Sequence, residues 1–269
     1  MHAASRESYL AARDVLVNPS ITMGDELLAF ARLLAREPRL RRALSDPSRQ
    51  PEDRATLVRG LLRGKVGDEA LAALETLASG RWSATSELLD AAERLAVDAL
   101  LGASDQSGDL AEVEDELFRF GQIVSGDSQL ASTVGDSSVA PARRATLVRE
   151  LLEGPSGSRA NPVTVKLAEL AVEGFGGRSF AAALTRLVEL VAQRRESEIA
   201  YVTVAEPLAD QEENRLAAAL SRIYGKQVSL KLTVDPSVMG GMSVRVGSDL
   251  YDGTVARRLA TVRNALAAR

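Results

Sequence analysis

The chain contains no cysteine. Disulfides, thiolate nucleophiles and cysteine-held zinc are therefore excluded. Its one histidine, His2, lies beside the N-terminus, where fraying is expected. Ser-His-Asp triads and histidine-based metal sites need a histidine held inside a fold, so both are disfavoured. Aromatic residues make up only 4% of the chain, while Ala and Leu recur throughout. Cores of that kind at helical spacing belong to helix bundles. Positive charge is not in surplus either, with 33 basic residues against 37 acidic ones and a net charge of −4. A duplex-binding protein carries a basic field, so no nucleic-acid partner is expected. The densest basic stretch is Arg36, Arg39, Arg41 and Arg42. It can meet phosphate or an acidic partner, but its ordinary role is a solvated helix end complementing the helix dipole. No window approaches the ~18 consecutive apolar residues of a membrane span. The best apolar stretch, Leu95 to Ala103, is broken by Asp98. Met1 to Glu7 lacks the apolar core of a signal peptide. The expectation is a soluble chain that reaches a membrane only through partners.

What is present is a duplication. With 269 residues, 45% of them hydrophobic, the chain is long enough for roughly two domains of about 150 residues. Arg54-Ala55-Thr56-Leu57-Val58-Arg59 recurs as Arg144-Ala145-Thr146-Leu147-Val148-Arg149, and Leu61-Leu62 as Leu151-Leu152. The same offset of 90 residues pairs Glu26-Leu27 with Glu116-Leu117, Phe30 with Phe120, Leu40 with Leu130 and Asp46 with Asp136. Several matches at one offset imply two copies of one unit, too long for a solenoid repeat and better read as a small bundle. The stripes are helical: Leu57, Val58, Leu61 and Leu62; Leu88, Leu89, Ala92, Leu95, Ala96 and Ala99; Leu184, Leu187, Val188 and Val191. Such stripes are usually core, and only one left over after the bundle closes can bind a partner. Pro38, Pro47 and Pro51 interrupt the first copy, and Pro141, Pro155 and Pro162 the second. Gly102 to Gly108 reads as a loop between copies, while a helix over 90–101 can be shared by both.

The last seventy or so residues change character. Ile199 to Val204 reads as a strand, Asp210 to Tyr224 as a helix with Gly225 as C-cap, and Val228 to Val234 as an alternating strand. Met242, Val244 and Val246 alternate with Ser243 and Arg245 in another strand, and Thr254 to Ala267 reads as a last helix. The fold expected is mostly α with a small α+β C-terminal domain: two tandem bundles, then a mixed-sheet β-α-β-β-α domain. The divisions fall at 1–104, 105–197 and 198–269. Gly247 to Thr254 reads as an exit loop, with Asp252 or Thr254 capping the last helix.

No part of this carries chemistry. Gly60-Leu61-Leu62-Arg63-Gly64-Lys65 is one residue short of a P-loop, and Val66 stands where magnesium needs a Ser or Thr. Asp235, Asp249 and Asp252 do not have EF-hand spacing and fit turns and caps better. Gly240-Gly241 lacks the Rossmann spacing. Tyr251, beside the turn, suits an interface anchor or a cover for the core. No catalytic residue, cofactor or metal is expected.

The run Val234-Asp235-Pro236-Ser237-Val238-Met239-Gly240-Gly241, then Val244-Arg245-Val246-Gly247, Asp252-Gly253-Thr254-Val255 and Arg258-Leu259 resembles the C-terminal signature of the ATP synthase delta subunit family, called OSCP in mitochondria. Ala205-Glu206-Pro207-Leu208 and Tyr224-Gly225-Lys226-Gln227-Val228 are similar to the family at the matching places. The likeness is close over the last seventy residues and looser over the second copy. The first copy departs from the common single-bundle form and is similar to delta subunits of high-GC Gram-positive bacteria. The resemblance implies a non-catalytic stator subunit of the proton-translocating F-type ATP synthase. It implies that the bundles hold N-terminal segments of alpha subunits and that the C-terminal domain meets stalk subunit b. It further implies a monomer outside the complex, at the cytoplasmic face of the plasma membrane, without direct membrane insertion. Asp235, Pro236, Gly240, Gly241, Arg245, Gly247, Asp252, Gly253 and Arg258 are its signature residues, with structural or interface roles. The alternative is a helical adaptor unrelated to ATP synthase.

Overall fold

The computed structural model describes residues 1–136, 138–154, 159–195, 198–225, 228–238, 240–246, 249–255 and 257. The described helices are α1 (Ala3–Asp14), α2 (Ile21–Arg36), α3 (Pro38–Ser45), α4 (Pro51–Leu62), α5 (Asp68–Ser79), α6 (Thr85–Ser107), α7 (Leu110–Gly126), α8 (Ser128–Gly135), α9 (Pro141–Glu153), α10 (Pro162–Glu173), α11 (Phe180–Arg194) and α12 (Asp210–Tyr224). The strands are β1 (Glu198–Val204), β2 (Val228–Val234), β3 (Met242–Val246) and β4 (Asp249–Asp252). A 3-10 turn, Phe175–Gly177, joins α10 to α11. Backbone proximity divides the chain into two compact units, Met1–Leu187 and Val188–Arg269.

The helices start where local chemistry starts them. Pro38, Pro51, Pro141 and Pro162 open α3, α4, α9 and α10, because proline's fixed φ suits the first turn and its missing N–H is not needed there. Ser20 caps α2 by accepting the Met23 N–H at 3.1 Å, and Asp127 caps α8 through the N–H groups of Gln129 and Leu130. Helices α2, α3 and α4 recur as α7, α8 and α9 at the sequence offset, and α5 and the first part of α6 recur as α10 and α11. The twelve residues of α1 align at that offset with Glu93 to Ser104, inside α6.

That alignment explains a correction. Gly102 to Gly108 is not a loop. Helix α6 runs for 23 residues and ends only at Gly108, whose φ of 82° forms a left-handed cap. Leu100, Leu101, Gly102 and Ser104 are all buried, so the small residues there permit close helix packing rather than a turn. One helix thus closes the first copy against α1 and α2 and opens the second against α7 and α10. Gly24 of α2 marks the closest approach: a Cβ there would overlap Leu100 Cδ2. Polar links tie the copies further. Arg32 Nε donates to Glu173 at 2.9 Å, Lys166 pairs with Asp25, and Glu93 accepts the Gly176 N–H at 2.7 Å.

His2 is not frayed. Its backbone N–H and ring Nδ1 lie 2.8 and 2.9 Å from one carboxylate oxygen of Glu87, and Ser5 Oγ donates to the other at 2.6 Å. A buried carboxylate on α6 needs partners, and α1 supplies them.

In the second unit the sheet order is β2-β1-β3-β4, with β1 and β2 parallel and the other pairs antiparallel. Ala200, Val202, Val204, Val228, Val244 and Val246 form one face, and α12 covers it with Leu216, Leu220 and Tyr224. Two details differ from the sequence reading. Asp249–Asp252, read as part of an exit loop, is a fourth strand on β3. It is short, fully exposed and flanked by aspartates, as suits an edge. Lys231, on the polar side of β2, is only 2% exposed, so that face of the strand is covered at its centre, while Ser229 and Thr233 beside it are partly exposed. The last helix, beyond Val255, lies outside the described residues apart from Arg257.

Candidate functional site

The repeated hexamer fixes a repeated framework. In the first copy Arg54 Nη1 donates to the Leu44 carbonyl at 3.2 Å; in the second Arg144 Nη1 donates to Val134 at 2.9 Å. Each arginine thereby satisfies a carbonyl at the end of the short preceding helix, α3 or α8. The second arginine of the hexamer holds the next helix. Arg59 Nε meets Glu75 at 2.8 Å, and Arg149 Nε meets Glu169 at 2.6 Å, so each guanidinium is held above its ordinary pKa by its carboxylate. Glu26 accepts the Gly67 N–H at the start of α5, and Glu116 accepts the Asn161 N–H at the start of α10. Asp46 and Asp136 each accept from the backbone N–H two residues on, and the hydrogen bonds of Ser48 and Ser138 hold both carboxyls below the usual range. Polar matches between the copies are therefore framework.

The apolar matches split. Val58 and Val148 are fully buried. Leu61 and Leu151 point out at the same register, 36% and 46% exposed, with half-buried Leu57 and Leu147 one turn earlier. Two leucines at i and i+4 make a narrow apolar strip on α4 and another on α9. The Leu61-Leu62 and Leu151-Leu152 matches carried that signal, but periodicity alone assigns such a stripe to the core.

The second candidate surface is the loop between β2 and β3. The Asp235 N–H donates to the Val204 carbonyl at 2.8 Å, and its carboxylate accepts the Ser237 N–H at 2.9 Å, which holds its pKa down. Gly240 and Gly241 have φ of 77° and 82°. The Gly240 carbonyl accepts the Val255 N–H at 3.1 Å, and the Gly253 N–H donates to Met242 at 2.9 Å. A Cβ on Gly241 would sit 2.5 Å from the Gly253 carbonyl oxygen. Asp252 accepts the Thr254 N–H and hydroxyl at 3.1 and 2.7 Å. Asp235, Pro236, Gly240, Gly241, Asp252 and Gly253 are thus brought together, and Pro236, Gly240 and Gly241 line an open hollow of about 640 Å³ with Glu206 and Val238. Arg245 stands apart, its guanidinium 5.4 Å from the Tyr201 ring centre. Gly247 and Arg258 lie outside the described residues. Tyr251 joins a surface cluster instead: the Tyr224 hydroxyl donates to Asp249 at 2.9 Å and lies 3.1 Å from the Tyr251 hydroxyl, and these contacts raise the Tyr224 pKa.

Titratable groups elsewhere serve packing. Burial and the neighbouring Asp98 raise the Tyr9 hydroxyl, which donates to that carboxylate. Hydrogen bonds from Ser5 and His2 pull Glu87 down to about 2. Desolvation pushes Glu93 up to about 7. Among the described residues no group of three or more His, Cys, Asp or Glu could hold a metal ion. Gly60 to Lys65 runs from the end of α4 into a turn with Gly64 at φ 76°, which is no phosphate-cradling loop. No described helix is long and apolar enough to cross a membrane.

Two framework copies bearing equivalent outward strips, followed by a small sheet unit with a locked loop, define a helical scaffold. The sequence profile described as "ATP synthase delta (OSCP) subunit" matches residues 92–266. The chain is 60% identical to the ATP synthase subunit delta of Salinispora arenicola, over 99% of each chain. It is 58% identical to that of Salinispora tropica over the same share, and 43% identical to that of Streptomyces griseus over 96% and 97%. The chain belongs to the ATP synthase delta (OSCP) subunit family, and so is a component of the stator, the peripheral stalk of ATP synthase. The relatives offer no support for an unrelated helical adaptor.

Proposed function

We propose that the chain is a non-catalytic tie that joins the catalytic head to stalk subunit b, at the cytoplasmic face of the plasma membrane. Each helical copy takes the amphipathic N-terminal segment of an alpha subunit, and the C-terminal unit meets subunit b through the signature loop and its surroundings. The observation that carries the reading is the outward pair Leu61 and Leu151, kept at one register in both copies although neither core uses it. An amphipathic helix laid on such a strip buries apolar area without any reacting group. A stator must resist rotor torque, so slow release matters, and separate weak contacts within one complex reinforce each other.

The test is calorimetric titration of the full chain with the N-terminal peptide of the same organism's alpha subunit. Two peptides per chain support a groove on each copy; one means that a copy has become purely framework. Leu61→Ser and Leu151→Ser, separately and together, should weaken the sites they serve. No binding by a folded chain and a helix-competent peptide would refute the head contact.

A further inference from the structure

The two copies differ in chemistry beside Arg54. This side chain is 3% exposed. Its Nη1 donates to the Gly80 and Leu44 carbonyls at 2.7 and 3.2 Å, and its Nη2 to the Ser79 carbonyl at 3.0 Å. All three acceptors are neutral. Its Nε, also buried, has no acceptor among the described residues. Asp46 and Glu52 are the acidic groups that bear on it, yet neither forms an ion pair with it. Asp46 is engaged by Ser48 and lies 3.9 Å from Arg49. A buried guanidinium with neutral partners and a spare donor is an uncompensated charge.

Arg54 lines a pocket of about 350 Å³ whose other walls include Arg49, Gln50, Arg81, Trp82 and Ser83. Three arginines line it and no carboxylate does. Arg81 is exposed, and among the described residues neither its guanidinium nor the Gln50 amide makes a hydrogen bond. The N-terminus of the twelve-residue α4 opens here too: Gln50 is its N-cap and makes no side-chain capping bond. A helix start adds partial positive charge to the same space. The second copy supplies the contrast. There Arg144 Nε donates to the Val139 carbonyl at 3.2 Å, and Val139 stands at the position of Arg49. The copy without an outer arginine satisfies its inner Nε; the copy with one does not.

We propose that the first copy holds an oxyanion of the phosphate class between Arg49, Arg81 and the inner Arg54, at the start of α4. The anion takes charge-assisted bonds from the two outer guanidinium groups and offsets the buried one. Free inorganic phosphate and the phosphate chain of a nucleotide present the same chemistry. The site requires no partner subunit, so its fate is separate from that of the head contact.

Trp82 is the only tryptophan in the chain and lines the pocket, so its fluorescence reports on the site directly. The experiment titrates the full chain with inorganic phosphate at fixed pH and ionic strength, balanced with sodium chloride. Trp82 emission and the thermal midpoint are followed together. A saturable response is expected in at least one readout, and the Arg49→Ala/Arg81→Ala double variant should weaken it by about tenfold or more. Both residues are exposed, so the variant should fold, and its unliganded midpoint checks this. An ADP arm separates the sources: affinity equal to that of phosphate assigns the free anion, and affinity about tenfold tighter assigns a nucleotide. No saturable response in either readout, or a response unchanged in the double variant, overturns the proposal.

Discussion

Replacing Glu93 by Gln should stabilise the protein at pH 8 and do little at pH 5. Glu93 lies on the shared helix α6, where its carboxylate accepts the Gly176 N–H at 2.7 Å. Desolvation lifts its pKa from about 4.5 to about 7; Asp90 and Glu173 add to the rise, while the Gly176 N–H and Arg178 oppose it. A carboxyl with a raised folded-state pKa favours the fold when protonated. Its contribution is fully present below the unfolded pKa near 4.5 and is lost as pH rises through 7. The shift corresponds to about 3 kcal/mol at most, and water reaching a carboxyl that is not fully enclosed reduces this to about 1–2 kcal/mol. Glutamine keeps an oxygen acceptor for Gly176 and carries no charge at any pH. Carboxylates such as Glu87 and Asp46, whose pKa values are lowered, act in the opposite direction and lose their contribution as pH falls. They are common to both proteins, so the difference between variant and wild type isolates Glu93. Urea unfolding followed through Trp82 measures that difference. A variant more stable by about 1–2 kcal/mol at pH 8, with most of the gap closed by pH 5, is the expected result. A gap independent of pH, or a wild type more stable at pH 8, would show that the carboxyl is ionised without penalty.

Three further outcomes follow from contacts already described. Arg54→Ala strips three carbonyls of their donor in a buried place and should cost about 2–4 kcal/mol in urea unfolding, whereas half-exposed Arg144→Ala should cost about 1 kcal/mol. Arg149→Ala leaves Glu169, only 5% exposed, without its ion-pair partner and should cost more than Arg59→Ala; a double-mutant cycle for each pair gives the coupling, expected at about 0.5–2 kcal/mol. Gly240→Ala meets a positive φ but only ordinary contact with Val255, costing about 1 kcal/mol, while Gly241→Ala drives a Cβ into the Gly253 carbonyl and should open the C-terminal unit to limited proteolysis.

Much of this was legible because the elements carry their own punctuation. Prolines mark the starts of four helices, and the alternation of Val228 to Val234 and Met242 to Val246 marks two strands. The offset of 90 residues located equivalent side chains before any contact was known. What could not be read was which matches face inward. Val58 and Leu61 are equivalent members of one helical stripe; yet Val58 is buried and Leu61 is not, and only the packing partner α5 decides that. β4 was missed because an edge strand needs no apolar alternation. The signature glycines were legible as turn formers, but the reason Gly241 admits no side chain is a carbonyl twelve residues away in sequence.

The misread loop at 102–108 bears most on how the chain works. Small polar residues between two repeats normally mark a linker, and a linker would let each copy move by itself. Here the same residues continue α6, and the first helix of the second copy is the last helix of the first. A helix of 23 residues spans about 34 Å, long enough for one rigid rod to take contacts from both copies. The pairs Arg32–Glu173 and Lys166–Asp25 tie α2 to α10 between the copies, and the bond from the Gly176 N–H to Glu93 ties the second copy to that rod. Force reaching α6 from the first copy therefore passes to the second through one continuous helix and packed side chains, not through a flexible tether. That rigidity is what the proposed tie between head and stalk requires, and it follows from duplicating a bundle so that one helix is used twice.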